Sequence, residues 1–336
     1  MTQELLWRVI LGPCPLSDEA AQAVETALRR GQQNGSIFKF SISRALRGPR
    51  AVAREIADAL DAGERVLLAN GPWQQGPTLG DPEIARAIAR LPDHLPPGIV
   101  VGGFHHAHAL TELALRWPGV ETYVAPPLAE SLTGENAEDL ARESFRVMTL
   151  FGESPVRLSQ QPPRRSHVGY CRQASRTRLP TLPDPREIVP RVLREGEAQG
   201  PILAGNLLPL SFALGGWRES LDGAILAIEI AGMQMRMLDR YVQRLALLGI
   251  FDRIGALLVG VPFDLVAEAP ALQLDEIIMR AVGSVSCVTV ADAFVGCGVP
   301  GTHLKLTAST TVRAYPEGVV ITQNPSHVLA SSANQP

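Results

Sequence analysis

The sequence has 336 residues, of which 46% are hydrophobic and 19% are charged, and its formal net charge is −3. A chain of this length and composition is expected to form about two domains with sizeable cores, and it does not have the composition of a disordered protein. The small negative charge gives no electrostatic basis for binding nucleic acid or an anionic membrane surface, so we expect neither as a partner.

Short apolar segments alternate with amphipathic segments over the first third of the chain. The predicted strands are Trp7–Leu11, Arg65–Ala69, Ile99–Val101 and Val120–Val124. The predicted helices are Ser17–Arg30, Arg50–Leu60, Pro82–Leu91 and His106–Trp117. This alternation predicts an α/β domain whose parallel sheet carries helices on its faces. Because ligands bind at the carboxyl ends of such strands, the loops Gly71–Gly76 and Gly103–His108 are candidate binding loops.

A stretch from Ser154 to Pro190 is rich in Pro, Ser and Arg and has no apolar periodicity, which is typical of an inter-domain linker. Regular elements are predicted again after it: helices near Leu207–Leu214 and Met235–Leu248, and strands at Ile202–Leu203, Ala224–Ile228, Ala256–Val259, Val288–Val290 and Thr311–Arg313. We therefore predict an N-terminal domain at 1–150, a linker at 151–196 and a C-terminal domain at 197–336.

The cysteines show neither a CxxC pair nor a zinc-ligand spacing, and they are Cys14, Cys171, Cys287 and Cys297. In a chain this long a disulfide framework is not expected, and free thiols indicate a reducing compartment. The N-terminus lacks the basic segment and apolar stretch of a signal peptide, and the apolar runs are too short to span a bilayer. We expect a soluble, cytoplasmic protein.

The densest group of reactive side chains is the segment GGFHHAHAL at 102–110, which follows a predicted strand and opens a predicted helix. His105 and His108 are three residues apart, so they would be neighbours on a first helical turn. A metal ion would need further ligands, and neither HExxH nor a second His/Asp pair is present. We predict no metal site and keep metal binding as an alternative. No GxGxxG, GxxxxGK[ST] or GxSxG motif occurs, and we predict no cofactor.

Three segments of the C-terminal part resemble the LD-carboxypeptidase and microcin-immunity peptidase family. They read GPILAGNLLPLSFALGG (200–216), LDGAILAIEIAG (221–232) and RMLDRYVQRLALLGIFDRIGALLVG (236–260). Residues 63–79 and 96–115 match the N-terminal part of the family more loosely. The resemblance implies a Rossmann-like N-terminal domain, a C-terminal domain with a small incomplete β-barrel, and an active site between them, often within a homodimer. We therefore expect a homodimer.

In that family a serine in a G-Y-S-D elbow is the nucleophile, a histidine late in the chain is its base, and a glutamate orients the histidine. The matching positions of this chain hold His105, Cys297 and Glu229, in that order. His106 and His108 match the elbow's Asp and Thr positions. The resemblance thus implies that the serine nucleophile is missing, and serine carboxypeptidase activity is not expected.

A thiol and an imidazole can still form a nucleophile–base pair, because a neighbouring imidazolium stabilises the thiolate. We hypothesise that Cys297 is the nucleophile and His105 its base, with Glu229 as the third catalytic residue. One objection is that a carboxylate beside the sulfur would raise the thiol pKa unless it also reaches His105. Two alternatives stay open: acid–base catalysis by His105 and Glu229, and a catalytically inactive binding or immunity protein.

Other residues are predicted to bind the substrate or to stabilise an oxyanion: His106 through its backbone N–H, His108, Asn206, and Gly71, Pro72 and Trp73 of the loop after the second strand. The predicted reaction is acyl-type chemistry on a peptide-like, amide-containing or ester-containing small molecule. It would be either hydrolysis or intramolecular cyclisation. Because the site departs from that of the family, we predict a specialised role, such as natural-product biosynthesis.

Overall fold

The computed structural model describes residues 6–11, 22, 25–26, 29, 40–44, 48–69, 80–124, 156–158, 189–266, 273–293, 295–296 and 304–323. The elements of the N-terminal half are β1 (Trp7–Leu11), β2 (Phe40–Arg44), α1 (Pro49–Asp61), β3 (Arg65–Ala69), α2 (Gly80–Ile88), β4 (Gly98–Gly102), a 3₁₀ turn (Phe104–His106), α3 (Ala107–Arg116) and β5 (Val120–Val124). These strands are short, β1, β3 and β4 are mostly apolar, and the helices between them are amphipathic.

The elements of the C-terminal half begin with two strands inside the segment predicted as a linker. They are β6 (Val156–Leu158), β7 (Arg191–Arg194), β8 (Gly196–Asn206), α4 (Leu207–Ala213), a 3₁₀ segment (Leu214–Leu221), β9 (Ile225–Glu229), β10 (Ala231–Gln234), α5 (Met235–Leu247), β11 (Ala256–Gly260), β12 (Phe263–Val266), α6 (Leu274–Val282), β13 (Val288–Ala293), β14 (Leu304–Lys305), β15 (Ser309–Tyr315) and β16 (Gly318–Gln323).

The N-terminal sheet has the strand order β14-β5-β4-β3-β1-β2. All neighbours from β5 to β2 are parallel, and only β14 at the edge runs antiparallel. Helix α1 buries Val52, Ile56 and Leu60 in a cluster that also contains Val100 of β4. This confirms the predicted parallel sheet, which arises because crossover helices cover the face of the sheet with their apolar side.

The C-terminal sheet is curled and has the strand order β6-β16-β15-β8-β9-β11-β13-β7. Its centre, β8-β9-β11-β13, is parallel, and the outer strands are antiparallel. Strand β8 joins the two parts because residues 196–201 pair with β15 and residues 202–206 pair with β9. Its first part alternates between exposed and covered residues and its second part is buried, as expected where one sheet changes from a solvated face to a core.

Strand β14 returns from the C-terminal half to the edge of the N-terminal sheet, where Lys305 pairs with Tyr123 of β5. The Lys305 ammonium lies 2.9 Å from Glu121 Oε1, and the Tyr123 hydroxyl donates to Glu121 Oε2 at 2.6 Å. Burial raises the pKa of Tyr123, which therefore stays a hydrogen-bond donor. The buried charges are paired, as buried charges must be, and they join the two halves on this edge of the sheet.

Most of the predicted elements are confirmed, and β1, β3 and β5 have the predicted bounds. The helix predicted at 17–30 lies largely outside the described residues. Strands β2, β6, β7, β10, β12, β14 and β16 and helix α6 were not predicted from the sequence. Strands β6 and β7 belong to the C-terminal sheet although they lie within 151–196; the predicted domain boundaries themselves stay a prediction. Among the described residues, no helix combines the length and the apolarity needed to cross a membrane.

Candidate functional site

Two predicted site residues meet where neighbouring strands of the C-terminal sheet end. Asn206 is the last residue of β8 and Glu229 the last of β9, and the parallel register places them side by side. Both side chains are buried, with 4% and 2% of their surfaces exposed. The Asn206 amide nitrogen donates to Glu229 Oε2 at 3.1 Å. The Asn206 amide oxygen accepts the backbone N–H of Leu208 at 3.1 Å, which caps the start of α4.

The Glu229 carboxylate also lies against the short segment that follows β13. Gly296 has a φ of 106°, and a Cβ built on it would lie 3.3 Å from Glu229 Oε1. A Cβ on Gly260 at the end of β11 would overlap the carbonyl oxygen of Val295, so both positions suit glycine. The carboxylate is therefore beside the backbone that continues into Cys297, which itself lies outside the described residues.

The predicted elbow after β4 forms a 3₁₀ turn that leads directly into α3. The structure describes the backbone of His105 in this turn and not its side chain. The His106 side chain is buried, and its Nδ1 lies 3.1 Å from where a Cβ on Gly102 would be. The backbone N–H of His106 donates to the Gly103 carbonyl at 2.9 Å. This donor, which we predicted to stabilise an oxyanion, is thus used by the turn in this structure.

His108 lies one turn further along α3, where it contacts the C-terminal half. Its ring is 4.9 Å from the Trp217 ring in an edge-to-face arrangement at 89°. Burial lowers the pKa of His108 to about 4, so the imidazole is neutral at neutral pH. The Trp217 indole N–H donates to Glu112 Oε2 at 2.9 Å. His108 and Glu112 are four residues apart and thus share one face of α3. His108 thus packs in the contact between α3 and the 3₁₀ segment of the C-terminal half.

Helix α3 is also hydrogen-bonded to β8, the strand that carries Asn206. The Thr111 hydroxyl lies 2.7 Å from the Ala107 carbonyl within the helix and 3.2 Å from the Ala204 carbonyl of β8. Ala204 precedes Asn206 by two residues. The elbow helix is therefore in direct contact with β8, the strand that pairs with β9 and places Asn206 beside Glu229.

The structure adds contact residues that the sequence analysis did not identify: Thr111, Glu112, Trp217 and Gly296. Trp217, which directly follows the family-like segment 200–216, was a weak signal in the sequence. Nothing in the sequence pointed to Thr111. The predicted residues Gly71, Pro72, Trp73 and Cys297 lie outside the described residues. Within the described part of the chain, no group of three His, Cys, Asp or Glu side chains could hold a metal ion.

A family model for the LD-carboxypeptidase C-terminal domain matches residues 199–312. No curated protein matches the sequence. Among solved structures, the chain is similar to the microcin C7 self-immunity protein MccF, with 14% identity, 97% of each chain covered and a TM-score of 0.71. That protein has also been solved with aspartyl sulfamoyl adenosine.

Two further solved structures are similar over nearly the same length. An MccF-like protein from Bacillus anthracis str. Ames has 16% identity and a TM-score of 0.70, with 97% of this chain and 98% of that chain covered. A muramoyltetrapeptide carboxypeptidase from Oxalobacter formigenes has 14% identity and a TM-score of 0.64, with 94% of this chain and 99% of that chain covered. At such low identities these similarities establish a common fold.

Proposed function

We propose that the protein is a hydrolase-type enzyme that transfers an acyl group from an amide or ester of a peptide-like small molecule. The proposal starts from the match of residues 199–312 to the LD-carboxypeptidase C-terminal domain and from the fold shared with the microcin-immunity protein. The observation that carries this proposal is the buried carboxylate of Glu229. It is hydrogen-bonded by Asn206 and lies against Gly296, the residue before Cys297.

In the proposed reaction the Cys297 sulfur attacks the acyl carbon while its proton passes to His105. The tetrahedral intermediate collapses, the bond to the leaving amine or alcohol breaks, and His105 returns the proton to that leaving group. The resulting thioester is cleaved by water, which releases the acid and restores the thiol. If a nucleophile within the acyl group replaces water, the same thioester closes a ring. No cofactor is required by any of these steps.

Glu229 is proposed to stabilise the imidazolium that forms at His105, which is the role of the third residue in such triads. The contact of Glu229 with Gly296 also favours a second version of the chemistry, because it places a carboxylate next to the residue before Cys297. A carboxylate near the sulfur disfavours the thiolate that a nucleophilic Cys297 needs. In that version His105 and Glu229 act as the acid and base for attack by water, and Cys297 only lines the site.

The substrate class is proposed from the chemistry of the similar proteins. The MccF structure with aspartyl sulfamoyl adenosine holds an aminoacyl group on a nucleoside analogue, and the Oxalobacter formigenes protein is a muramoyltetrapeptide carboxypeptidase. Both point to an aminoacyl or peptidyl group as the acyl part. A role in a specialised or natural-product pathway is proposed because the sequence departs from the family at the elbow and late-histidine positions.

The first experiment uses the ester p-nitrophenyl acetate. Transfer of its acetyl group to the enzyme releases p-nitrophenolate, which is measured by its absorption of visible light. We expect a burst of one p-nitrophenolate per active chain, with an acetyl group on Cys297 detected by peptide mass spectrometry. Cys297→Ala should abolish both signals. Cys287→Ala is the matched control, because Cys287 is 2% exposed and burial raises its pKa to about 11, so its thiol should not react.

Other outcomes would point to the alternatives. Steady release of p-nitrophenolate without a burst, which survives Cys297→Ala and is lost in Glu229→Gln or His105→Ala, would support the acid–base version. If the wild-type protein releases no p-nitrophenolate and does not cleave aspartyl sulfamoyl adenosine, yet binds it in calorimetry, the enzyme proposal is wrong and a binding or immunity protein is supported. Sedimentation of the same sample tests the homodimer that the family resemblance implies.

A further inference from the structure

The hydrogen bonds of Asn206 determine which way its side-chain amide faces. A backbone N–H can only donate, so the atom that meets the Leu208 N–H must be the amide oxygen. The amide nitrogen is then necessarily the atom that faces Glu229, at 3.1 Å from Oε2. The usual ambiguity between the oxygen and the nitrogen of an asparagine is therefore removed by the helix cap.

It follows that Glu229 Oε2 must accept a hydrogen bond, because the atom facing it is a donor. A buried N–H that points at a carboxylate oxygen forms a charge-assisted hydrogen bond, which is stronger than a hydrogen bond between neutral groups. The two residues are also direct neighbours on parallel strands, which lie about 4.8 Å apart. The contact is thus imposed by the sheet register and does not depend on a flexible loop.

The two oxygens of Glu229 consequently have different surroundings. Oε2 is held by Asn206, whereas Oε1 faces Gly296, at 3.3 Å from the position that a Cβ there would take. Rotation of the carboxylate would break its hydrogen bond with Asn206. The Asn206 amide cannot rotate with it, because its oxygen is held by the Leu208 N–H. The orientation of Oε1 toward the residue before Cys297 is therefore set by Asn206 from the other side.

We propose that Asn206 is a positioning residue that holds Oε2 of Glu229 through its fixed amide and so directs Oε1 to the segment that leads into Cys297. This inference rests on the proposed function, and it differs from the substrate-binding role predicted for Asn206 from the sequence. The amide oxygen of Asn206 accepts the Leu208 N–H, and one N–H of its amide nitrogen donates to Glu229. Little of the side chain is left for direct recognition of a substrate.

The decisive variant is Asn206→Asp. An aspartate keeps an oxygen that can accept the Leu208 N–H, so the cap of α4 is preserved, but it presents an acceptor to Glu229 Oε2 in place of a donor. Asn206→Ala, which removes both contacts, is the comparison. Asn206→Asp combined with Glu229→Gln restores a hydrogen bond of reversed polarity, because the glutamine amide can donate to the aspartate.

Two readouts are measured on the full chain. The first is the ¹³C signal of the Glu229 side-chain carboxyl carbon in protein labelled at that carbon of glutamate, with the signal identified by its loss in Glu229→Gln. The second is the rate of Cys297 acetylation by p-nitrophenyl acetate. We expect Asn206→Asp to shift the carbon signal and to slow acetylation roughly tenfold or more, because the carboxylate is no longer held. The double variant should unfold at a higher temperature than Asn206→Asp alone, without recovering acetylation.

The proposal is overturned if the Glu229 carbon signal is the same in Asn206→Asp and wild type, since a residue that only caps α4 would give that result. It is equally overturned if the signal shifts while acetylation is unchanged, or if the double variant is no more stable than the sum of its single changes predicts. A wild-type protein that is not acetylated contradicts the proposed function alone, because the carbon signal still decides whether Asn206 holds Glu229.

Discussion

The elbow side and the carboxylate side of the candidate site are each built where a buried parallel strand ends, but they hold their polar groups by different means. Glu229 is held by Asn206, its register partner on the next strand of the same sheet. On the elbow side, His108 is buried against Trp217, which belongs to the other half of the chain. The carboxylate is therefore positioned within one sheet, whereas the elbow helix is positioned by side-chain packing between the two halves of the chain.

This difference determines how each side should respond to change. A register contact is maintained as long as the C-terminal sheet is folded, because it is part of the strand pairing. A contact between the two halves depends on side chains that come from distant parts of the chain, such as Glu112 and Trp217, which are 105 positions apart. We expect perturbation of α3 to loosen the alignment of the two sides, and perturbation near Gly296 to act on the carboxylate directly.

The largest expected effect is on the pH dependence of stability, and it comes from His108. Burial lowers the pKa of His108 from 6.5 to about 4, so between these pH values the unfolded chain binds a proton that the folded chain does not. Acidification through this window should therefore lower the free energy of unfolding by about 3 kcal/mol. His108→Phe keeps an aromatic ring near Trp217 and should remove this part of the pH dependence.

Urea unfolding at several pH values within that window measures the effect. His94→Phe is the matched control, because it makes the same substitution at an exposed histidine of the N-terminal half. If the wild type and His108→Phe lose stability equally on acidification, the burial of His108 is not the cause.

A smaller effect is expected from Gly296→Ala, which tests the carboxylate side. Its φ of 106° is strained for any residue with a Cβ, and the new methyl group would press on the Glu229 carboxylate. We expect a loss of about 1–3 kcal/mol of stability together with slower acetylation of Cys297 by p-nitrophenyl acetate. Gly48→Ala is the control, because Gly48 has a φ of 101° with nothing within 4 Å of its Cβ position.

The comparison of these two glycine variants separates backbone strain from contact with the carboxylate. Both should lose stability in urea unfolding, and only Gly296→Ala should slow acetylation. Equal acetylation rates in the two variants would show that the Gly296–Glu229 contact has no part in the chemistry.

The smallest expected effect is that of Trp217→Phe, which removes the indole N–H from Glu112 and keeps an aromatic ring against His108. We expect a loss of about 1 kcal/mol in urea unfolding, the usual net contribution of one hydrogen bond, and a modest slowing of acetylation. Trp117→Phe is the control, since its N–H donates to the Pro92 carbonyl at 3.2 Å within the N-terminal half. A slowing of acetylation in Trp117→Phe as large as in Trp217→Phe would contradict a specific role for the contact of Trp217 with α3.

The sequence by itself determined the elements whose side chains follow a strong local pattern. Strands β3 and β9 are continuous apolar runs, and α5 ends before Gly249, whose φ of 68° is one that glycine adopts without strain. Glu229 and Asn206 were identified because they lie in long segments that resemble one family. Local periodicity and an ordered set of segments are properties of the chain alone, so no knowledge of the packing was needed.

Only the tertiary structure decided the elements and contacts that depend on a distant partner. Strands β2, β7 and β10 are short and weakly patterned, and they form because a neighbouring strand supplies their hydrogen bonds. The two residues of β14 cross to the N-terminal sheet, which no local signal indicates. In the same way, the Asn206–Glu229 hydrogen bond follows from strand register, and the His108–Trp217 contact follows from packing of the two halves against each other. Both contacts are made between segments that are remote in the chain.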